Sequence, residues 1–433
     1  LTTVASRTFE SLENHNYRVW FAGGLVTNVT GWMSRTAQAW LVLTILTQGN
    51  AQALGYQTAA IFLPGLLLTP FVGTVADKLP KRTILMVASA ITLVSALSMA
   101  LLTITGRMKL WEILALSFLQ GIAMAFDGPA RQAFVSEVVG IDLLPNAISL
   151  NSASFNAARL LGPGIGGVFI AFMGCGWVIM IDVLGQIVWL TALMMMNTAQ
   201  LNPSRPASGR SAGFVAGVKQ VARRPDLVAL LAVGFAVGGL GFNFNISNAV
   251  MATEAFGRGA SNYGILGSIM GVGALAAALW SARRGAPRLR YVIMGMVGYT
   301  VFNALAMIST NFWLFAILQA PVGFFTITCL VTGNSLLQTA TAPQLRGRVM
   351  ALWGLAITGI APIVSPLVGW LGDQFGPRAT IAFGVVAVGT ITVVLVATIM
   401  THDRIRVHLD WHRRAPFLRL DRLVTEDTSA IRR

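Results

Sequence analysis

Twelve apolar runs follow one another along this chain, at roughly residues 20–46, 54–75, 83–105, 110–127, 146–172, 177–197, 226–252, 262–282, 291–309, 312–335, 349–372 and 379–400. Each is close to the length of about 20 residues that a helix needs to cross the hydrocarbon of a bilayer. At that depth no water satisfies a backbone N–H or C=O, so runs of this kind fold as helices. The pattern predicts an all-α membrane protein with twelve transmembrane helices. Composition agrees, since 55% of the residues are hydrophobic and only 11% charged, against about 25% charged in ordinary soluble domains. Twelve spans of about 20 residues use about 240 of the 433 positions, which excludes a large extramembrane domain.

A formal net charge of +15 raises the question of a nucleic-acid partner. The placement of the 31 lysines and arginines answers it. With the N-terminus inside, 25 of them fall on the inner side, only Arg107, Lys109, Arg258 and Arg378 fall in outer loops, and Arg35 and Arg159 lie within spans. That is the positive-inside asymmetry, so both termini are expected in the cytoplasm and no nucleic acid is expected as partner. The stretch before Tyr17 lacks a basic start, an apolar core and a cleavage site, so no cleaved signal peptide is expected. Cys175 and Cys329 lie far apart, and His15, His402, His408 and His412 all lie outside the apolar runs. No metal site and no cofactor follow from such a set. No Gly-rich phosphate loop followed by Lys-Ser/Thr is present, which argues against ATP as the energy source.

The longest polar interruption, 198–225, carries Pro203, Ser204, Arg205, Pro206, Ser208, Gly209, Arg210 and Ser211, and divides the runs six and six. It reads as a cytoplasmic linker between an N-terminal half, 1–197, and a C-terminal half, 226–400, followed by a basic tail, 401–433. A faint repeat relates the halves: Gly162-Pro163 with Gly166 corresponds to Ser365-Pro366 with Gly369, 203 residues later. Leu119-Gln120 with Phe126 likewise corresponds to Leu318-Gln319 with Phe325 after 199 residues. Two related halves suit alternating access, in which one half rocks against the other around a site at mid-membrane.

After the second run comes Gly73-Thr-Val-Ala-Asp77-Lys78-Leu-Pro80-Lys81-Arg82. This resembles the loop signature of the major facilitator superfamily, with Pro80 where the family usually has Gly. The resemblance implies two pseudo-symmetric six-helix halves. It also implies that Asp77 latches the inner side through the start of the eleventh span near Arg348 to Ala351, with Gly73, Lys81 and Arg82 as gating residues. The second-half loop, Trp280-Ser281-Ala282-Arg283-Arg284-Gly285, keeps the basic residues and lacks the Asp.

Gly162-Pro163-Gly164-Ile165-Gly166-Gly167 in the fifth run is similar to the core of the superfamily's antiporter signature, with Ala158 at an upstream Gly position. Read physically, Gly162, Pro163, Gly166 and Gly167, with Gly267 and Gly271 in the eighth run, give small faces on which helices approach closely. Generic helix packing explains that pattern equally well. Further stretches resemble the bacterial branch containing enterobactin exporters and macrolide-efflux proteins. These are Asn16-Tyr17-Arg18, Trp32 to Leu41, Asp127-Gly-Pro129-Ala-Arg131-Gln132, Leu150 to Arg159, and Arg346-Gly-Arg348. The resemblance implies a multi-pass protein of the bacterial inner membrane and places Asp127 and Arg131 with the gating residues. Members of the branch often carry an acid between Gln38 and Trp40, where this chain has Ala39.

Charged groups at mid-membrane are costly and therefore candidates for function. Arg35 shares a helical face with Asn28 in the first run, and Arg159 lies midway along the fifth. Asp182 is the one carboxylate well inside a run, a candidate proton carrier or the partner of an arginine. Gln120, Asn243, Asn245, Asn248, Gln319 and Asn334 complete the expected substrate cavity, the second-half members following from spans that line it in the family. The expectation is an exporter of small amphiphilic compounds of drug or siderophore type, neutral or anionic, working by proton-coupled antiport, with protons and membrane lipid as its other partners. Uptake of a metabolite anion, and a membrane-embedded enzyme or sensor, stand as alternatives.

Overall fold

The computed structural model describes residues 9–202, 221–222, 224–284, 287–341, 343–402, 406–408 and 419–421. Its first six helical rods are α1 (His15–Trp40, continued by a π turn over Leu41–Leu46), α2 (Ala51–Lys78), α3 (Lys81–Ile104), α4 (Leu110–Gly140), and α5 and α6 (142–173 and 175–195). The last six are α7 (Pro225–Ala255), α8 (Ala260–Arg283), α9 (Leu289–Ile308), α10 (Phe312–Ala340), α11 (343–375) and α12 (Ala379–His402). A three-residue strand pair, Arg406–His408 antiparallel to Arg419–Asp421, lies in the tail. Most of the linker, 203–220, lies outside the described residues.

Two glycines separate rods that would otherwise run on. Gly140 (φ 74°) and Gly174 (φ 82°) adopt left-handed backbone at the α4–α5 and α5–α6 corners, where a side chain would be strained. Ten helical stretches among the described residues are long and apolar enough to cross a membrane, with Asp142–Met195 counting as one. Missing from them is α1, because Asn28, Ser34, Arg35 and Gln38 dilute its hydropathy. The fourth run was expected to end at 127, yet α4 continues to Gly140. Its last turns carry Asp127, Arg131, Gln132 and Glu137, which interrupt the apolar pattern without interrupting the helix.

Helix α7 is broken instead at mid-length. A π turn over Phe235–Leu240 gives way to non-helical Gly241 to Asn243 before the helix resumes at Phe244. The freed backbone is satisfied locally: Tyr299 Oη donates to the Gly241 carbonyl at 2.8 Å, and Asn243 N donates to the same oxygen at 3.0 Å. Irregular backbone at membrane depth requires such internal partners.

How the two sets of helices meet decides where a ligand can enter. We call the side on which residues 198–225 join them the linker side, and the opposite one the far side. On the far side a single apolar core draws on both sets, with Leu41, Leu43, Leu54 and Ile179 packed together with Ile246, Met251, Leu266, Phe315 and Val368. On the linker side the cores are separate: one around Tyr17, Trp20, Phe134 and Trp189, another around Leu230, Leu337 and Trp353. The molecule is therefore closed on the far side and divided on the linker side.

The far-side seam runs along two helix pairs. In the α5–α8 pair, a Cβ on Gly167 would stand 2.6 Å from the Ala260 carbonyl oxygen and 2.9 Å from Gly264 Cα. A Cβ on Gly267 would meet Pro163, and one on Gly271 would meet Leu160. In the α2–α11 pair, Gly55 lies against Ser365-Pro366 and Gly369 against Ala51-Gln52. The repeated Gly-Pro and Ser-Pro segments thus occupy equivalent places on the two seams. Gly162 and Gly166 face the other way and pack on Trp32 and Met33 of α1.

Candidate functional site

A cavity of about 910 Å³ lies among α1 to α6. Its wall mixes aromatic groups (Trp20, Phe21, Trp32, Phe155, Trp189) with polar ones (Asn28, Arg35, Gln38, Gln120, Asp182, Gln186). Asp127, Arg131 and Gln132 line it nearer the linker side, where the two sets of helices are divided.

The depth of the cavity is organised by a chain of polar side chains on α1, α2 and α4. Gln57 Nε2 donates to Gln38 Oε1 at 3.3 Å, and Gln38 Nε2 donates to Ser34 Oγ at 3.2 Å and to Gln120 Oε1 at 3.4 Å. Gln57 and Gln38 are both buried, so each amide needs these partners. On the neighbouring wall Thr30 Oγ1 donates to Asp182 Oδ1 at 3.0 Å, and Ser89 Oγ donates to Gln186 Oε1 at 3.3 Å. Sequence patterns alone did not mark Gln38, Gln57, Thr30 or Gln186, although Gln38 three residues from Arg35 and Gln186 four residues from Asp182 share helix faces with them.

Arg35 is exposed to the cavity, its guanidinium 5.3 Å from the Trp32 ring centroid and its Nη2 3.6 Å from Met124 Sδ. No carboxylate stands within ion-pair distance of it or of Arg159 among the described residues. The ion pair expected as one role for Asp182 is therefore absent at that distance, and a hydroxyl holds this carboxylate instead. Asn28 donates to Ser154 Oγ at 3.4 Å and shares the cavity wall with Arg35, as their helical spacing predicts.

A smaller crevice of about 70 Å³ joins the two sets of helices at mid-length. Arg35 and Arg159 face it from one side, with Phe242, Asn245, Asn248 and Tyr263 across from them. Asn243, Asn248 and Gln319 meet in a much tighter void inside the last six helices, where Ser365 Oγ donates to Asn243 Oδ1 at 3.1 Å. Gln319 Oε1 is buried there without a hydrogen-bond donor among the described residues. Asn334 borders none of these three cavities; its carbonyl accepts from Gln338 one turn along α10.

The gating candidates divide. Arg131 binds Asp127 through two hydrogen bonds of 2.9 and 3.1 Å and stacks 4.4 Å from the Trp189 ring, at the edge of the large cavity. Lys81 pairs with Glu137 at 3.2 Å, and Arg82 caps α6 through the carbonyls of Leu193 and Met194 at 2.8 and 3.1 Å. Both contacts stay within the first six helices. Gly73 and Asp77 belong to the last turns of α2, and the surroundings of Gly73 and the side chain of Asp77 lie outside what the structure describes.

A family model described as "transmembrane secretion effector" matches residues 6–419. The chain is similar to the multidrug efflux pump Tap of Mycolicibacterium fortuitum, 28% identical over 359 residues that cover 79% of this chain and 85% of that protein. It is also similar to the staphyloferrin A transporter of Staphylococcus aureus, 22% identical over 387 residues, covering 88% and 94%. Among solved structures, a mutant of the nucleoside transporter NupG superposes with a TM-score of 0.70 at 11% identity, over 88% of this chain and 99% of that one. At that identity the likeness is one of fold.

Proposed function

The chain belongs to the transmembrane secretion effector family of the major facilitator superfamily, and we propose that it exports small amphiphilic compounds, neutral or anionic, of drug or siderophore type, by alternating access driven by proton antiport. It is a multi-pass membrane transporter and not an enzyme. The observation that carries the reading is the large cavity of mixed aromatic and polar wall on the divided side of the molecule. Aromatic faces give an amphiphile apolar contact, and the polar groups between them supply hydrogen bonds.

In this reading the linker side is cytoplasmic, with both termini and residues 198–225 on it, in the inner membrane of a bacterium. The structure then corresponds to an inward-open state. The halves 1–197 and 226–400 rock against each other, Gly73 and Asp77 close the inner side with Asp127 and Arg131, and 401–433 forms a basic tail. Two carboxylates face the large cavity, and Arg131 already holds Asp127. Asp182 is left as the group that exchanges a proton for substrate. The test is flux in proteoliposomes under an imposed pH gradient. Expulsion of an amphiphile against its concentration, abolished when the gradient is collapsed, supports the reading; flux indifferent to the gradient overturns the coupling. A second reading, uptake of a metabolite anion, is favoured by Arg35 and Arg159, which have no carboxylate partner among the described residues. The direction of net flux under the same gradient separates the two.

A further inference from the structure

The two short turns that follow α2 and α8 occupy equivalent positions in the two sets of helices, and both are rich in basic residues. Their cations are treated differently. After α2, Lys81 is paired with Glu137 and Arg82 with the carbonyls that end α6. After α8, Arg283, Arg284, Arg288 and Arg290 fall within eight residues, and none of the ion pairs among the described residues involves them.

The geometry of this corner is unusual for a merely solvated loop. The Arg284 guanidinium lies 3.5 Å from the Trp280 ring centroid and 4.1 Å from that of Tyr291, and its Nη2 donates to Ser281 Oγ at 2.6 Å. Arg290 lies 4.8 Å from the Tyr291 ring and donates to its hydroxyl at 2.9 Å. Aromatic faces hold both guanidinium groups in place, yet Arg284 Nε and Nη1 and Arg290 Nε have no acceptor among the described residues. A charged donor left without a partner is costly. Arg283 and Arg288 are exposed beside them. The cluster sits between the ends of two spanning helices, Arg283 ending one and Leu289 opening the next, so it lies at the membrane border. Trp280 and Tyr291 are the residue types that settle at that depth.

We propose that this corner is a binding site for the phosphate headgroup of an anionic phospholipid. A phosphodiester supplies the acceptor oxygens that the guanidinium groups lack, and arginine binds such groups strongly. Its acyl chains lie along α8 and α9, which the headgroup position requires. Basic residues at the edge of an anionic leaflet are drawn to its headgroups, and four of them converge on this corner. The proposal rests on the orientation given above, which turns this corner towards the inner leaflet; lipid retention, however, is measured without transport and fails independently of it.

The experiment is native mass spectrometry of the full chain released from mixed phosphatidylglycerol and phosphatidylcholine micelles. Wild type is expected to keep one phosphatidylglycerol through mild activation. R284Q/R290Q is expected to keep at least about tenfold less, as loss of two such charges implies, with phosphatidylcholine adducts unchanged. R283Q/R288Q alters only exposed side chains and so leaves the packing intact; it is expected to lose phosphatidylglycerol in smaller measure. Equal retention by wild type and both variants overturns the site. So does release of the lipid by millimolar inorganic phosphate, which marks a free-anion site, or parallel loss of both lipids.

Discussion

The Asp373 carboxylate near the end of α11 accepts the backbone N–H of Ala51 at 2.7 Å and that of Gln52 at 2.9 Å, capping the first turn of α2 across the far-side seam. An anion at a helix N-terminus satisfies free donors and opposes the helix dipole. Because the contact spans the seam between the two sets of helices, opening the far side is expected to break it, which would bias the equilibrium towards the closed far side. Asp373→Ala is expected to cost the closed far side about 1 kcal/mol, a roughly fivefold shift in the ratio of states. Asp373→Asn keeps a capping oxygen and is expected to give a smaller shift. Spin-label distances across the α2–α11 seam read both; unchanged distributions in Asp373→Ala would remove the cap from the gating equilibrium.

The α5–α8 seam closes on backbone rather than charge. Gly167→Leu places a side chain where the Ala260 carbonyl and Gly264 now lie, so the far side is expected to stay open and transport to fall at least tenfold while the protein remains folded. Gly162→Leu is a contrasting case, because its Cβ would meet Trp32 within the same set of helices. There the expected effect is lost thermal stability, in line with overpacking costs of about 1–3 kcal/mol. Melting temperatures and far-side cysteine accessibility distinguish the two. Matching behaviour in both variants would count against separate roles.

Much of this arrangement was legible in the sequence. Apolar runs announced the helices, and the spacing of Asn28 and Arg35 announced a shared face. What periodicity missed has a common cause, namely polar residues that turn inward, to the cavity or to a partner, without breaking their helix. Asp127, Arg131 and Glu137 ended an apolar run without ending α4, and the polar face of α1 lowered its hydropathy below that of its neighbours. Partner choice was less legible still. Lys81 and Arg82 sit in a signature that points to gating, yet their contacts are with Glu137 and the end of α6, which only the packed fold brings near. The break at Gly241 to Asn243, which sets Asn245 and Asn248 against the arginines, carries no proline. Its signal is the glycine-rich stretch before it.

Coupling is tested at Asp182. In the proposed reading Asp182 is the cavity carboxylate that exchanges a proton, and Thr30 Oγ1 donates to its Oδ1. Asp182→Asn fixes the neutral form, so flux driven by a pH gradient is expected to vanish while substrate binding and exchange persist. Thr30→Val removes this donor and is expected to change the pH dependence of flux, whereas Thr30→Ser keeps a hydroxyl there and is expected to retain it. Full gradient-driven flux in Asp182→Asn would return this residue to a structural role.

The proposed preference for a neutral or anionic substrate rests on the arginines. Arg35 faces both the large cavity and the crevice between the two sets of helices, and Arg159 faces the crevice. Neither has a carboxylate within ion-pair distance among the described residues, and a guanidinium keeps its charge across the working pH range of a cell. Their combined field favours an anionic or neutral ligand over a permanent cation, with the aromatic wall and Asn28, Asn245 and Asn248 supplying contact and hydrogen bonds. Arg35→Gln is expected to weaken binding of an acidic amphiphile about tenfold or more, the scale of one charge-assisted hydrogen bond, and to leave a neutral analogue of the same shape nearly unaffected. Competition binding with the matched pair measures this directly. Equal loss for both ligands, or a wild-type preference for quaternary ammonium dyes, would show that helix carbonyls rather than substrate answer these charges.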